Sequence, residues 1–532
     1  MYQVIDRLGL SLFLGLLCLT TSCHGDKILM LPYGATHTSR AMNMEKLALM
    51  LTEHGHNVTM IVRADYTPWR PLPGVVLETY NVTVNDGSQL PRKLDFKTMM
   101  RLVKSDIFTL IHIESESNRE TCKHMLSDKQ LMSKIKRGTF SLFIFDYLEL
   151  CSAILLYQLK LPSVMYSNYG LTGLWIANQN PLNPATTLME GADFTNNMNY
   201  IERFRNTMLW IAANAFYNYY YIRDIENLLS TFLPDYNFPP IHRCFENVSI
   251  IIAANTHFAL DFPRPVMPHI KPISGLQWTP PRPLSSDLLS FMSSAHHGVI
   301  LMSFGSMMPT LEEETAELFA KVFSKFPQKV LWRYKGPVPP SLGENTKIME
   351  WIPQNDILAH PAMKLFITHC GISSTWETLF HAVPVVAVPL FADQHHNAAK
   401  LVKRAKIGVL IDFHTMTQIE LEEAINEVLT NEKYKQKAAK MSEILQDVPI
   451  SGKDEFLFWI DYVIRHRGPL FLHNEAVFKL SWYQYYLLDI ILPFVAAFLC
   501  FTFLLKVFAV CMFKAAVRVI RLLLKRVKLK RS

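Results

Sequence analysis

The sequence predicts an α/β protein in which two Rossmann-like domains face each other across a cleft and one transmembrane helix follows them. Short apolar runs alternate with helix-period segments in two successive series, which is typical of parallel sheets covered on both faces. A Pro-rich passage from Gly275 to Pro283 separates the two series and is the expected linker. An almost wholly apolar stretch, Ile490 to Phe513, is long enough to cross about 30 Å of hydrocarbon.

Length and charge limit the possible functions. A chain of 532 residues exceeds what one hydrophobic core holds, so two domains with appended segments are expected. The formal net charge is +7, and residues 514–532 hold eight lysines and arginines without one acid. Because the rest of the chain is then close to neutral, nucleic acid is not an expected partner.

Residues 1–25 have the pattern of a secretory signal peptide. Arg7 precedes the apolar run Leu8–Leu19, and small residues stand before Gly25. The alternative is that this segment is a strand or helix of the fold itself. A signal peptide would bring the following domains into the secretory pathway, where glycosylation occurs. Sequons begin at Asn57, Asn81 and Asn247.

The first Rossmann-like domain is predicted to span 26–275 and to open with a βαβ unit. Its first helix has apolar residues at i, i+3, i+4 and i+7 from Met44 to Leu51, and it ends at Gly55. The segment 168–245 is rich in aromatic residues without strand alternation. Each of these aromatics alone is typical of a core, but the segment as a whole suggests a lipophilic pocket. Strands are predicted at Asp26–Pro32, Val58–Val62, Leu142–Phe145, Ser163–Tyr166 and Ile250–Ala254.

The second Rossmann-like domain is predicted to span 276–445. Residues 446–486 then form a crossover helix that returns to the first domain, followed by a segment next to the membrane. Strands are predicted at Val299–Phe304, Val330–Arg333, Leu365–Thr368, Val383–Val388 and Val409–Ile411, and helices at 311–325, 417–429 and 433–445.

The C-terminal end predicts a membrane anchor and an address. The transmembrane helix is placed at 487–513, and the basic tail 514–532 is the cytosolic end under the positive-inside rule. Lys528 and Lys530 resemble the dilysine retrieval signal of endoplasmic-reticulum membrane proteins, although a basic tail can produce this spacing by chance. The expected protein is single-pass and type I, with its domains in the lumen of the endoplasmic reticulum.

The cysteine pattern predicts no covalent framework. Four cysteines lie outside the leader and the membrane span, scattered and without CxxC spacing. Neither a disulfide framework nor a zinc site is therefore indicated. These four are Cys122, Cys151, Cys244 and Cys370.

The most informative stretch runs from Trp351 to Asn397. A short apolar strand leads into the turn His369–Gly371, and a helix opens near Ser373. Such a turn presents backbone N–H groups and the positive end of a helix at one place, which suits a phosphate. An indole, an amide and a helical carboxylate add groups that a nucleotide sugar needs, as does the pair Asp393-Gln394. The pair His395-His396 is expected in a surface loop.

This stretch resembles the donor signature of the UDP-glycosyltransferase family, whose animal branch includes the membrane-anchored UDP-glucuronosyltransferases. The resemblance extends from the leader to the basic tail. It implies the GT-B fold and the inverting transfer of a hexose from a UDP-sugar to small lipophilic acceptors, as in detoxification. The acceptor would bind in the first domain and the donor in the second, beyond the carboxyl ends of the strands. The alternative is a catalytically impaired member that binds a nucleotide sugar or a lipophilic ligand, for example within a homo- or hetero-oligomer.

The resemblance implies a role for each donor-site residue. Trp351 would stack on uracil, Gln354 would bond to its edge, and Glu377 would accept from the ribose hydroxyls. Fixed N–H dipoles and an imidazole would stabilise the departing diphosphate without reorganising. No DxD motif occurs in this region, so neither a metal nor another cofactor is expected. The diphosphate would be held by Ser306, His369, Gly371, Ser373 and Ser374 with Arg333 bracing nearby, and the sugar hydroxyls by Asp393 and Gln394.

The expected donor is UDP-glucose rather than UDP-glucuronic acid. Glucuronyl-transferring animal members carry an Arg six residues before the acidic residue of a turn in which Asp or Glu is followed by an aromatic residue and Pro-Arg-Pro. That acidic residue is Asp261 in this chain. The position of the Arg is occupied by Asn255. A sugar carboxylate without a guanidinium partner loses a charge-assisted pair worth about 1.5–3 kcal/mol. UDP-glucuronic acid remains the alternative donor.

The acceptor side departs from the family pattern. The resemblance implies a His that takes the proton of the acceptor hydroxyl and an Asp that orients it. Asp146 suits the second role, but Arg40 stands where the His is expected, and Arg cannot act as a base near neutral pH. Three explanations remain open. A tightened loop brings His37 into place, or the acceptors need little base help, as acidic phenols, carboxylates and amines do, or catalysis is lost.

Overall fold

The structure is a computed structural model that describes residues 25–34, 39–68, 70–82, 107–172, 183–189, 192, 194–217, 223–232, 234, 248–474 and 479–529. The predicted signal peptide except Gly25, the base candidate His37 and the sequon residue Asn247 lie outside these ranges. The described chain divides after Leu472 into two compact units.

The first unit contains two parallel β-sheets. The strands of the first sheet are β1 (Lys27–Leu31), β2 (Asn57–Arg63), β3 (Val75–Tyr80), β4 (Leu142–Asp146), β5 (Ser163–Ser167), β6 (Ile250–Ala254) and β7 (Ile270–Ile273). Their order is β3-β2-β1-β4-β5-β6-β7, and every neighbouring pair is parallel. The order reverses between β1 and β4, which is where open α/β sheets bind ligands.

The second sheet repeats this design. Its strands are β8 (Val299–Ser303), β9 (Lys329–Arg333), β10 (Thr346–Met349), β11 (Met363–Thr368), β12 (Val385–Ala387) and β13 (Gly408–Leu410). Their order is β10-β9-β8-β11-β12-β13, again with parallel pairs throughout. Both sheets therefore have the doubly wound order of a Rossmann fold, and the second reverses between β8 and β11.

Several strands predicted from the sequence are wholly buried, whereas two strands that the sequence does not predict are partly exposed. Strands β4, β5, β6 and β8 are buried along their whole length, as their continuous runs predict. Strands β3 and β7 lie at the two edges of the first sheet and mix buried with half-exposed residues. The sequence analysis predicts neither of them, because an edge strand needs no unbroken apolar run.

Helices cover both sheets, and their ends follow local capping chemistry. Thr417 and Glu420, for example, form a capping box in which each side chain accepts from the other's backbone N–H, at 3.2 and 2.9 Å. The helices before the linker are α1 (Ser39–Glu53), α2 (Ile107–Ser127), α3 (Lys129–Arg137), α4 (Cys151–Leu159), α5 (Tyr200–Tyr217) and α6 (Arg223–Phe232). Those after it are α7 (Ser286–Ser293), α8 (Glu313–Phe323), α9 (Gln354–Leu358), α10 (Ile372–Phe380), α11 (Gln394–Ala399), α12 (Gln418–Thr430) and α13 (Lys433–Gln446).

A helix from the end of the first unit belongs to the core of the first sheet. This helix, α14 (Gly452–Arg465), contacts α1 and β7. Its apolar face buries Phe456, Leu457, Ile460 and Val463 in the same core as the strand residues of the first sheet. The chain therefore returns from the second sheet to the first before the unit ends.

Cys122 and Cys151 form a disulfide, with their Cα atoms 5.3 Å apart. The sequence-based expectation of no disulfide is therefore wrong for this pair. The two cysteines are 29 residues apart in sequence, and only the packing of α2 against the start of α4 brings them together. The bridge lies just beyond the end of β4, so it fixes the segment that follows Asp146.

The second unit consists mainly of one long helix. A short helix, α15 (Trp482–Tyr485), precedes α16 (Leu488–Leu529). Within α16 the segment Leu488–Leu524 is long and apolar enough to cross a membrane, and it is the one such helix in the described part of the chain. The prediction ended the helix at residue 513. The helix instead continues into the basic residues, because lysine and arginine are good helix formers.

Candidate active site

A cleft of about 650 Å³ lies between the two sheets, where the strand orders reverse. Tyr33 and Leu148, which follow β1 and β4, form part of one wall. Gly305 and His369, which follow β8 and β11, form part of the other. The cleft is lined by every donor residue predicted from the sequence, namely Ser306, Arg333, Trp351, Gln354, His369, Gly371, Ser373, Ser374, Glu377, Asp393 and Gln394.

Two glycines leave room for the His369 ring. A Cβ atom at Gly371 would lie 2.5 Å from Nε2 of His369, and a Cβ atom at Gly305 would lie at the same distance. Gly305 also has a φ of +70°, which a side chain disfavours. Gly371 is the N-cap of α10, so the unpaired N–H groups of the first helical turn lie beside the ring. This combination forms an anion site.

The first turn of α10 adds hydroxyl groups to this site. Ser373 Oγ is buried and has no hydrogen-bond partner among the described residues. Ser374 Oγ accepts from Nε2 of Gln354 at 2.9 Å. Because a buried hydroxyl without a partner costs free energy, a ligand oxygen beside Ser373 would be stabilising.

His369 is a neutral donor at physiological pH. Burial, together with the smaller effect of the nearby Arg333 guanidinium, lowers the pKa of its imidazole to about 4. An uncharged imidazole offers one N–H to a phosphate oxygen rather than a full positive charge.

Arg333 supports the stacking residue and the glycine turn together. Its guanidinium carbon lies 5.1 Å from the centre of the Trp351 ring, and its Nη1 donates to the carbonyl oxygen of Gly305. Burial lowers the pKa of Arg333 to about 10, so it remains cationic at neutral pH. Trp351 is 45% exposed, which presents a large aromatic surface at the cleft.

Gln354, Glu377 and Lys46 form the next contact along the cleft. Nε2 of Gln354 donates to Oε2 of Glu377 at 2.6 Å. Burial raises the pKa of Glu377, and attraction to Lys46 opposes that rise. Lys46 lies on α1 of the other wall and donates to the Gln277 carbonyl oxygen at 2.8 Å. The sequence analysis misses Lys46, because only the packing of the two lobes brings it near Glu377.

Asp393 and Gln394 stand at the start of α11. Nδ2 of Asn397 donates to Oδ2 of Asp393 at 2.7 Å and to the Cys370 carbonyl oxygen at 3.0 Å, which joins Asp393 to the phosphate turn. Oε1 of Gln394 accepts from the Leu390 N–H at 2.8 Å. Burial raises the pKa of Asp393 to about 6. Asp393 is therefore an ionised acceptor at neutral pH.

His396 lies in the interior of α11, so the expectation of a surface loop is wrong. It is 1% exposed and packs edge-on against Phe262 from the first domain. Beside it, Lys400 and Asp261 form a buried ion pair at 2.5 Å. These contacts make α11 part of the interface between the two lobes.

Arg40 and Asp146 form a buried ion pair on the wall from the first domain. Nε of Arg40 donates to Oδ2 of Asp146 at 3.2 Å, and its Nη2 donates to Oδ1. Oδ1 also accepts from the Leu148 N–H at 3.0 Å. Burial opposes the charge of Arg40, but the attraction of Asp146 prevails and raises its pKa well above the usual value. Arg40 lines the cleft, whereas Asp146 lies behind it.

This pair bears on the base predicted from the sequence. His37 lies outside the described residues. Because Asp146 directs both oxygens to Arg40, it could orient an imidazole only after the guanidinium withdrew. The role of His37 therefore stays a prediction, and it requires the free energy needed to break the Arg40–Asp146 ion pair.

Aromatic rings surround the Arg40 guanidinium. Its carbon lies 5.3 Å from the ring centre of Tyr33, 4.9 Å from that of Tyr147 and 4.8 Å from that of Tyr169. Glu149 lies behind this cluster, where it accepts from the Gly34 N–H at 2.9 Å, and burial raises its pKa to about 7. The sequence analysis names none of these tyrosines as site residues, because they come from three separate loops.

Asn255 does not itself line the cleft but bonds to two residues that do, Asn168 and Gln277. Its Nδ2 donates to Oε1 of Gln277 at 3.1 Å and to the Asn168 carbonyl oxygen at 3.3 Å, and 2% of its surface is exposed. This position therefore offers no charge to a sugar carboxylate.

The aromatic segment 168–245 contributes less to the cleft than expected. Among its described residues only Asn168 and Tyr169 line the cleft. Helix α5 instead exposes apolar residues, including Phe204 and Ile201. The first-domain wall in the described part of the chain is formed mainly by α1 and by the loops after β1, β4 and β5.

The described residues contain one group that could hold a metal ion, His54, His56 and Asp461. None of these three lines the cleft. The cleft offers instead a stacking surface, an anion site, two carboxylate acceptors and a caged guanidinium. Such a set can bind a nucleoside diphosphate sugar and stabilise a departing diphosphate.

Comparisons with known proteins agree with this geometry. Residues 26–523 match the family model described as "UDP-glucoronosyl and UDP-glucosyl transferase". The human protein 2-hydroxyacylsphingosine 1-beta-galactosyltransferase is 32% identical over 456 residues, which cover 84% of this chain and 81% of that protein. UDP-glucuronosyltransferase 2C1 of Oryctolagus cuniculus is also 32% identical, over 85% of this chain and 92% of its own.

A solved structure shows the same fold at low identity. A UDP-glucosyltransferase from Polygonum tinctorium, capable of glucosylating indoxyl and solved with 3,4-dichloroaniline, superposes with a TM-score of 0.58. The match covers 84% of this chain and 100% of that protein, at 16% identity. This likeness supports the two-lobed GT-B architecture.

Proposed function

Because the chain belongs to the UDP-glucuronosyl and UDP-glucosyl transferase family, and is thus a UDP-sugar-dependent hexosyltransferase, we propose that it transfers glucose to small lipophilic acceptors with inversion at the anomeric carbon. UDP-glucuronic acid is the second candidate donor. The convergence of Trp351, His369 and Glu377 on one cleft supports the proposal most directly.

Each lobe has a separate task in this proposal. The second domain, 276–445, binds the donor, and the first domain, 26–275, binds the acceptor. Trp351 stacks on uracil, Gln354 bonds to the edge of the base, and Glu377 accepts from the ribose hydroxyls. The negative charge that develops on the diphosphate meets fixed donors, which need no reorganisation during the reaction. Those donors are Ser306, His369, Ser373, Ser374 and the N–H groups after Gly371, while Asp393 and Gln394 accept from the sugar hydroxyls.

The polar surroundings of Asn255 favour a neutral sugar. Asn255 itself would bring no positive charge to a glucuronic acid carboxylate, since its Nδ2 bonds to neutral amide groups of Gln277 and Asn168. The names of the two relatives above include a galactosyltransferase and a glucuronosyltransferase, so the family handles neutral and acidic sugars.

We further propose that the domains lie in the lumen of the endoplasmic reticulum. A signal-peptide pattern precedes them, and a candidate membrane span follows at Leu488–Leu524 with a basic tail behind it. The Cys122–Cys151 disulfide is typical of an oxidising compartment, which supports the lumenal side.

The second candidate function is a catalytically impaired protein that binds a nucleotide sugar or a lipophilic ligand. The Arg40–Asp146 pair favours it, because the pair leaves no described residue in the position of a base. Loss of a general base typically costs about 10²–10⁴-fold in rate, so measurable turnover would survive in an otherwise intact site.

Replacement of Trp351 tests the donor site. We expect Trp351→Ala to weaken UDP binding by the loss of a base stack, which is worth about 1–3 kcal/mol. The measurement is equilibrium dialysis of radiolabelled UDP with full-length protein in detergent. Trp278→Ala is the matched control, because Trp278 is 37% exposed and does not line the cleft.

Turnover then separates the two candidate functions. Full-length protein is incubated with UDP-glucose or UDP-glucuronic acid and a panel of phenols, alcohols, carboxylic acids and amines. Conjugate formed with any pair excludes a protein that only binds its ligands, whereas an impaired enzyme would form conjugate about 10²–10⁴-fold more slowly than one that has the base. Equal UDP affinity of wild type and Trp351→Ala would contradict the proposed donor site.

A further inference from the structure

We propose that Arg40 selects a carboxylic acid as acceptor, and that the acid binds already ionised and attacks the sugar through its own carboxylate oxygen. This inference rests on the proposed function, since it names the acceptor class for the same cleft. It also chooses among the three explanations for the missing histidine.

Both oxygens of the Asp146 carboxylate accept hydrogen bonds. Oδ2 accepts from Nε of Arg40, and Oδ1 accepts from Nη2 of Arg40 and from the Leu148 N–H. The carboxylate is completely buried and Arg40 is 3% exposed. The carboxylate that would orient a catalytic histidine therefore binds the Arg40 cation instead. A neutral acceptor hydroxyl would find no described proton acceptor at this position.

The Arg40 guanidinium still has one unused donor. Its Nη1 is buried and has no hydrogen-bond partner among the described residues, although the side chain lines the cleft. A buried guanidinium N–H without an acceptor costs free energy, so a ligand oxygen at this place would be stabilising. A carboxylate meets the need because it is anionic and accepts only. An ammonium group would be repelled by the same charge.

The surroundings of Arg40 suit the rest of such an acceptor. Tyr33, Tyr147 and Tyr169 surround the guanidinium, and Leu148 lines the adjacent wall. These side chains favour an aromatic or aliphatic body next to the charged group. The carboxyl groups near Arg40 are Asp146 and Glu149 from its own lobe and Asp393 across the cleft.

The other cations that line the described part of the cleft are Lys46 and Arg70 from the first domain and Arg282 and Arg333 from the second. Lys46 interacts electrostatically with Arg70, Arg282 and Glu377. Arg282 also lies 3.9 Å from the Asp356 carboxylate. Among the cations that line the cleft within the described residues, Arg40 is the one that pairs with Asp146 and that the three tyrosines surround, and its charge also acts on Asp393.

The reaction balances without a proton acceptor. One carboxylate oxygen stays on Nη1 of Arg40, and the other forms the bond to the anomeric carbon. The bond between that carbon and the β-phosphate oxygen breaks, and its electron pair leaves with the diphosphate. The products are a glycosyl ester and UDP, which carries the negative charge that the acid brought. A phenol or an alcohol would release a proton as well.

The test compares acceptors that differ only in this group. Full-length protein in detergent receives UDP-glucose with a lipophilic arylacetic acid, with the corresponding primary alcohol or with a phenol of similar size. We expect the acid to react at least about tenfold faster than the alcohol, as one charge-assisted hydrogen bond allows. The rate with the acid should not change between about pH 7 and 8, because carboxylic acids ionise near pH 4 and Asp393 is also ionised in that range. The ester product is identified by its cleavage with hydroxylamine.

Variants at Arg40 test the selection directly. Arg40→Met should lower the turnover of the acid by about tenfold or more. Arg40→Lys should retain part of the turnover, because lysine keeps the positive charge but lacks the planar guanidinium with its several donors. Arg40→His should lose turnover of the acid and gain turnover of the phenol, since Asp146 can then orient an imidazole that acts as a base. Arg137→His, on an exposed helix end, controls for the added histidine. A thermal unfolding scan checks that each variant is folded.

The outcomes separate the inference from the proposed function. Equal or faster turnover of the alcohol or the phenol by the wild type would overturn the inference and leave the transferase intact. Unchanged turnover of the acid by folded Arg40→Met protein would also overturn the inference, because turnover of the acid would then not depend on residue 40. No conjugate from any acceptor, while UDP still binds, would overturn both the inference and the proposed activity.

Discussion

At the scale of single residues, the raised pKa of Asp393 predicts a pH limit for its proposed contact with the sugar. Its pKa is raised to about 6 by burial, and the hydrogen bond from Asn397 acts in the opposite direction. Because the acceptor function needs the ionised form, kcat/KM for the UDP-sugar should fall below about pH 6, with full activity above it. Asn397→Ala should move this limit to higher pH, whereas Asn426→Ala on an exposed face should not. An identical pH profile for Asn397→Ala would contradict this role.

The phosphate turn gives a second prediction at the residue scale. Gly371→Ala adds a Cβ atom 2.5 Å from His369 Nε2, so the ring must shift and UDP binding should weaken by about tenfold or more. The backbone itself tolerates alanine, because Gly371 has a φ of −59°. If crowding of the ring is the cause, Gly371→Ala should add little to the loss already caused by His369→Ala. Additive losses in this double-mutant cycle, measured by equilibrium dialysis of UDP, would exclude this explanation.

At the scale of elements, the disulfide holds α2 against the start of α4. Cys122→Ser or Cys151→Ser should lower the free energy of unfolding by about 2–4 kcal/mol, because the reduced chain gains entropy when unfolded. Thermal unfolding in detergent measures the loss. Cys500→Ser removes a free cysteine from the long apolar helix and serves as the control. Equal unfolding of all three variants would show that the bridge adds no stability.

The elements also show how far sequence reasoning reaches. The buried strands β4, β8 and β11 and the glycine turn are visible in the sequence, because burial on both faces needs unbroken apolar runs and the turn needs specific residues. Edge strands such as β7 alternate too weakly to be recognised. Long-range pairs leave no local signal, which is why Lys46 beside Glu377 and the Arg40–Asp146 ion pair emerge only in the fold.

At the scale of the whole molecule, α14 fastens the end of the first unit to its beginning. Phe456 is completely buried in the core of the first sheet, whereas Phe458 on the same helix is 48% exposed. Phe456→Ala should therefore lower the free energy of unfolding by about 3–5 kcal/mol through the cavity that it leaves. Phe458→Ala should change it by much less. Similar unfolding temperatures for the two variants would contradict this account of α14.

The repeated strand order has a practical consequence for redesign. Each half brings its own reversal point to the cleft, and under the proposed function one half would bind the nucleotide and the other the acceptor. Grafting the loops after β1 and β4 from a relative should change which acceptor is used without weakening the binding of UDP. Lys46 lies on α1, outside these loops, so the graft would retain its attraction to Glu377 across the cleft.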